Sequence, residues 1–63
     1  MSEKLTRLLS PEALAEYLGV PVATIYQWNY RRSGPRALRV GRHLRFRPED
    51  IQSWLDAQAV RAR

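Results

Sequence analysis

The sequence predicts a mainly α domain in which three helices carry one small β-hairpin. Three observations predict it. Two successive segments, Leu9-Ser10-Pro11-Glu12 and Val20-Pro21, have the make-up of helix starts; basic and apolar residues alternate on both sides of Gly41-Arg42-His43; and Pro48 is followed by two acids and an apolar stripe. At 63 residues the chain is one small domain, and a domain of that size buries only about 60% of the surface its unfolded form exposes.

The first helix starts at Ser10, whose hydroxyl suits the cap position, and Pro11 fits the first helical position, where a missing N–H costs nothing. Leu9 and Leu14 have the spacing of a hydrophobic staple. The helix is expected to reach about Leu18, burying Ala13, Leu14, Tyr17 and Leu18, with Glu12 and Glu16 outward and Gly19 as the left-handed residue that ends it. The second helix follows Val20-Pro21. Val20 and Ile25 repeat the staple, Ile25 and Trp28 form the inward stripe, and Ser33-Gly34-Pro35 stops the helix near Tyr30 or Arg31. Two or three residues between the helices, centred on glycine, set them at a steep angle. That is the geometry of a helix-turn-helix, with an ordinary helical hairpin as the alternative the spacing leaves open.

Leu38-Arg39-Val40 and Leu44-Arg45-Phe46 carry the period of two expected of strands. A three-residue loop, Gly41-Arg42-His43, sets Val40 opposite Leu44, Leu38 opposite Phe46 and Arg39 opposite Arg45, with all four apolar side chains on one face. A two-residue loop opposes Arg39 to Leu44 and mixes the faces, so the longer loop is expected. This hairpin is the wing of a winged helix-turn-helix. The third helix starts at Pro48, with Glu49 and Asp50 favoured at its positive end. Ile51, Trp54 and Leu55 face the core, and the helix frays through residues 57–59. The expected organisation is a flexible N-terminus over 1–7, a winged helix-turn-helix over 8–58, and a basic tail over 59–63.

Catalysis is not expected, because a nucleophile, a base and an orienting group must converge in a sheltered site. The chain has one histidine and no cysteine, so a metal site, a disulfide and a cofactor are not expected either. The three glycines lie too far apart to cradle a phosphate. The opening MSEKLTRLLSPE lacks a long apolar run, so neither a signal peptide nor a membrane span is expected, and the absence of cysteine makes a reducing cytoplasm the expected location.

Charge points to the partner. The net charge is +5, and no acid lies between Glu16 and Glu49, a stretch that holds seven arginines and no lysine. Arginine's planar fork suits phosphates and base edges, and a polyanion supplies the charge the stretch lacks. Double-stranded DNA is the expected partner, with neither a membrane nor a small-molecule ligand. The outward face of the second helix carries Val22, Ala23, Thr24, Tyr26, Gln27, Tyr30 and Arg31 toward the major groove. Gln27 suits adenine, and the hydroxyls of Thr24 and Tyr26 serve equally as phosphate contacts. Arg42, with His43 as the weaker candidate, is placed at the wing tip for the minor groove. Arg32, Arg36, Arg39, Arg45 and Arg47 are the expected phosphate contacts.

The segment LLSPEALAEYLGVPVATIYQWNYRRSGPRALRVGRHLRFRPEDIQSWLDA, Leu8 to Ala57, resembles the excisionase-type DNA-binding domain, which is related to the winged helix-turn-helix of MerR regulators. LGV, then TIYQW, RVGRHLRF and PEDIQSWL carry the resemblance through their order and spacing. It implies an accessory protein of phage or mobile-element recombination, with no catalytic step. Such a protein binds head-to-tail and cooperatively on an attachment site, bends it, and steers a tyrosine or serine integrase toward excision. Pro21 departs from the family, whose members often place Ser or Thr there to cap the recognition helix and touch a phosphate. Two other readings stand beside this one: a small stand-alone transcriptional regulator, and a module that docks its basic face on an acidic protein. Exposed Thr24, Tyr26 and Gln27 argue against the last.

Overall fold

The computed structural model describes residues 7–61, with side chains through Ala59. The expected flexible N-terminus therefore falls outside the described residues except for Arg7, as do residues 62–63 of the expected tail. In chain order the elements are α1 (Pro11–Leu18), α2 (Val22–Arg31), β1 (Leu38–Val40), β2 (His43–Arg45) and α3 (Pro48–Arg61).

Both helix ends of the first pair are set by local chemistry. The Ser10 hydroxyl accepts from the Ala13 N–H at 3.0 Å, and Pro11 takes the first helical position. Gly19 closes α1 at φ +73°, where an L side chain is strained. Its N–H and that of Val20 return to Glu16 and Ala15, at 3.3 and 3.0 Å. α2 ends with the same pair of bonds: Ser33 donates to Trp28 at 2.9 Å and Arg32 to Asn29 at 3.2 Å. Here the left-handed residue is Arg32, at φ 58°, so a non-glycine side chain is held in a conformation that costs it energy. The stop thus falls one residue ahead of Ser33-Gly34-Pro35.

Burial in α1 differs from the expectation in two places. Ala15 is buried where Ala13 is exposed, and Tyr17 is 63% exposed. The inward stripe of α1 is Leu14, Ala15 and Leu18.

The hairpin register also differs. The pairs are Leu38↔Arg45, Arg39↔Leu44 and Val40↔His43, so the loop is the two residues Gly41-Arg42, and His43 opens β2 rather than sitting in the loop. Arg39 and Arg45 therefore do not face each other. Gly41 has φ +64° while Arg42 has no positive φ. A glycine at the first of two turn positions is the type II′ pattern, whose twist matches that of the strands. Cross-strand partners share a face, so Arg39 and Leu44 lie on one side, and Leu38, Val40, His43 and Arg45 on the other. Val40 is accordingly 49% exposed. Counting apolar residues per face favours the longer loop, but the core takes only Phe46 from this part of the chain, and Leu44 lines a surface groove instead.

Phe46 is positioned by a pairing that periodicity does not reveal. It forms an antiparallel bridge with Leu9, through bonds of 2.8 and 2.9 Å, and this ties the start of the domain to the wing. Phe46 joins Leu14, Ala15, Ile25 and Ile51 as the buried core, with Leu9, Leu18, Val20, Trp28, Ala37 and Leu55 packed around it. Ile51 comes from α3, which continues to Arg61. Residues 59–61 are therefore helical rather than a loose tail.

Trp54 of α3 reaches the far end of α2. Its ring lies 5.0 Å from that of Trp28, tilted by 47°, and its Nε1 donates to the Ser33 carbonyl at 3.1 Å. Gly34 fits beneath Trp28 only for want of a side chain, because an added Cβ would lie 2.9 Å from the Trp28 Cβ. Gly34→Ala is expected to destabilise the domain by about 1–3 kcal/mol, as overpacking does elsewhere. A thermal melt checks this, and an unchanged midpoint would show that the segment shifts freely.

Candidate nucleic-acid interface

The turn of Gly19, Val20 and Pro21 leaves α2 with one buried side chain, Ile25, and a long outward face. Val22, Ala23, Tyr26, Gln27, Tyr30 and Arg31 are exposed on it, Tyr30 at 87%, while Thr24 is half-buried. Trp28 is turned inward against the core. Pro21 supplies no side-chain cap. The Thr24 N–H bonds back to the Pro21 carbonyl at 2.9 Å, which leaves the N–H groups of Val22 and Ala23 uncapped at the positive end of the helix. Such groups favour an anion.

The arginines separate into three places. Arg39, Arg42 and Arg45 line one groove together with His43, Leu44 and Tyr26, closed on its far side by Ser10, Pro11 and Glu12 at the start of α1. The hairpin, α2 and α1 thus converge here. Arg45 is half-buried, and its Nη1 donates to the Leu44 carbonyl at 2.6 Å, so its guanidinium is fixed along the strand. Arg39 and Arg42 are exposed. Arg32 and Arg36 line a second, polar hollow with Trp28, Asn29, Tyr30 and Gly34. Gly34 follows the Ser33 carbonyl that Trp54 holds, and Pro35 lines the hollow as well. Arg31 stands exposed at the last position of α2 and lines neither hollow.

Arg47 also lies apart from both. It faces Asp50 across one helical turn at 3.9 Å, the ion pair among the described residues. Among the described residues, the run of arginines between Glu16 and Glu49 is therefore ion-paired only at its last member, where α3 supplies a carboxylate. Arg47 is exposed and Asp50 half-buried, and at 3.9 Å, with no hydrogen bond to the Asp50 oxygen, the pair contributes little to stability.

Sequence reasoning placed Tyr26, Arg39, Arg42, His43 and Arg45 in the interface, and they share one groove. It did not place the start of α1 there. Glu12 carries only the signal of an outward residue of α1, and nothing in its local pattern reveals that it lines a groove with the hairpin arginines. Asn29, at the rim of the second hollow, was likewise unassigned.

Among the described residues, no group of three or more His, Cys, Asp or Glu is placed to hold a metal, and no helix is long and apolar enough to cross a membrane. Two helices joined by a three-residue turn, followed by a two-stranded hairpin beside the second helix, define a winged helix-turn-helix, a DNA-binding class. The chain belongs to the helix-turn-helix domain family, whose model matches residues 8–59. Sequence-specific DNA binding is the activity this domain implies. No curated protein and no solved structure matches the chain.

Proposed function

We propose that the chain is an excisionase: an accessory protein that binds attachment-site DNA cooperatively, bends it, and directs an integrase toward excision without a catalytic step or cofactor of its own. Residues 8–58 carry the DNA-binding work in this reading. α2 enters the major groove with Val22, Ala23, Thr24, Tyr26, Gln27, Tyr30 and Arg31. Arg42 and His43 approach the minor groove, and Arg32, Arg36, Arg39, Arg45 and Arg47 take phosphates, Arg47 only by leaving Asp50.

The observation that carries the reading is that the described residues hold one recognition helix and one wing, which together reach a single short stretch of groove. Bending a site of about 20–30 bp by 40–90° costs on the order of 1–6 kcal/mol, so several copies side by side are needed. Contacts of the head-to-tail kind do not close and extend along the duplex. The ordered pieces TIYQW, RVGRHLRF and PEDIQSWL support excision in particular.

A stand-alone transcriptional regulator would use the same contacts on isolated operators. Gel shifts on duplexes carrying one, two and three copies of a selected site separate the two readings. The excisionase reading expects the second and third copies to fill at lower protein concentration than the first, and integrase-dependent excision to require the chain. Independent filling, with no effect on excision, supports the regulator.

A further inference from the structure

We propose that Glu12 is a specificity-determining residue of the DNA interface. Glu12 lines the groove of Arg39, Arg42 and Arg45, and its negative charge opposes the backbone phosphates these arginines attract, which holds down affinity for DNA of arbitrary sequence. The proposal rests on the DNA-binding reading of that groove.

Five acids lie among the described residues, Glu12, Glu16, Glu49, Asp50 and Asp56, and of these only Glu12 lines the groove. It is exposed and forms no ion pair there, since the pair among the described residues is Arg47 with Asp50. Its charge is therefore not absorbed by a neighbouring guanidinium. Nor can its backbone move away. Glu12 is the second residue of α1, behind a buried Pro11, in a turn closed by the Ser10–Ala13 bond at 3.0 Å. An acid in a first helical turn gains from the helix dipole, which explains why a carboxylate is tolerated at that point of α1. It does not explain why an acid lines a groove of arginines; Glu49 has the same dipole advantage in α3, away from the groove.

Attraction between arginine and phosphate is the same for every sequence and supplies non-specific affinity. Contacts from α2 to base edges depend on sequence. A fixed negative charge on the backbone's path weakens the first and leaves the second intact. When α2 is seated on its site, its base contacts hold the phosphates against the guanidiniums; an unseated duplex has no such register and meets the carboxylate as well.

The test compares Glu12→Gln with Glu16→Gln, an exposed acid of the same helix that lies outside the groove. Both variants remove one negative charge. Fluorescence anisotropy is read on a pool of random-sequence duplex and on a duplex selected from that pool by the unaltered chain. Two like charges about 4 Å apart in water differ by a factor of roughly five in an equilibrium constant, so Glu12→Gln is expected to tighten random-pool binding about fivefold. On the selected duplex the change should stay below about twofold, and Glu16→Gln should change either by less than about twofold. The proposal is overturned if Glu12→Gln leaves random-pool binding unchanged or weaker, if both duplexes gain equally, or if Glu16→Gln gives the same gain. Failure of the unaltered chain to bind either duplex overturns the DNA-binding reading itself, and is distinct from all three.

Discussion

Phe46→Ala is expected to leave the chain unfolded at 25 °C. The ring is 1% exposed, and truncating a buried Phe costs about 3–5 kcal/mol. A single hydrophobic core below about 70–80 residues rarely supplies more than about 3–5 kcal/mol in total. Five buried side chains form this one, and Phe46 is also the residue whose backbone bridges to Leu9. Circular dichroism should show no cooperative melt for the variant. A melt within a few degrees of the parent would mean that the wing does not seal the core. Trp54, for all its size, is half-buried, so its truncation is expected to cost less.

The second large effect is on binding. Arg39→Ala combined with Arg42→Ala removes two exposed guanidiniums from the groove without touching the core. Each phosphate contact contributes about 0.9 to the slope of log affinity against log salt, so the slope should flatten by about 1.8, and affinity near 0.1 M salt should fall on the order of 50-fold. The loss should be deepest on sites whose minor groove is narrow and A·T-rich, because a wing-tip arginine gains most there. An unchanged slope would remove both residues from the interface, and an equal loss on every sequence would remove Arg42 from the minor groove.

Much of this architecture is readable residue by residue, and the exceptions share a cause. Ser10, Pro11 and Gly19 act within a turn of their own positions, so the bounds of α1 and the short break before α2 follow from local chemistry. Ile25 and Trp28 face inward as their spacing implies. The hairpin register depends on Phe46 pairing with Leu9, a partner 37 positions away, and on the turn preference of Gly41; counting apolar residues per face weighed neither. Likewise, Ala15 is buried while Ala13 and Tyr17 are exposed, and no periodicity within α1 separates these choices. The arginine-rich surface was legible as composition. Its division into a groove, a second hollow and one internal ion pair was not, because Glu12 and Asp50 reach it through the fold from either side of the acid-free stretch.

The central claim is that DNA phosphates neutralise the exposed arginines, and a salt titration of duplex binding tests it most directly. With about four to six phosphates engaged, the slope of log affinity against log salt should be roughly −4 to −5, a loss of about 250- to 1000-fold between 50 and 200 mM. A flat response, or no binding to duplex at about 50 mM salt where phosphate contacts are strong, would contradict the account.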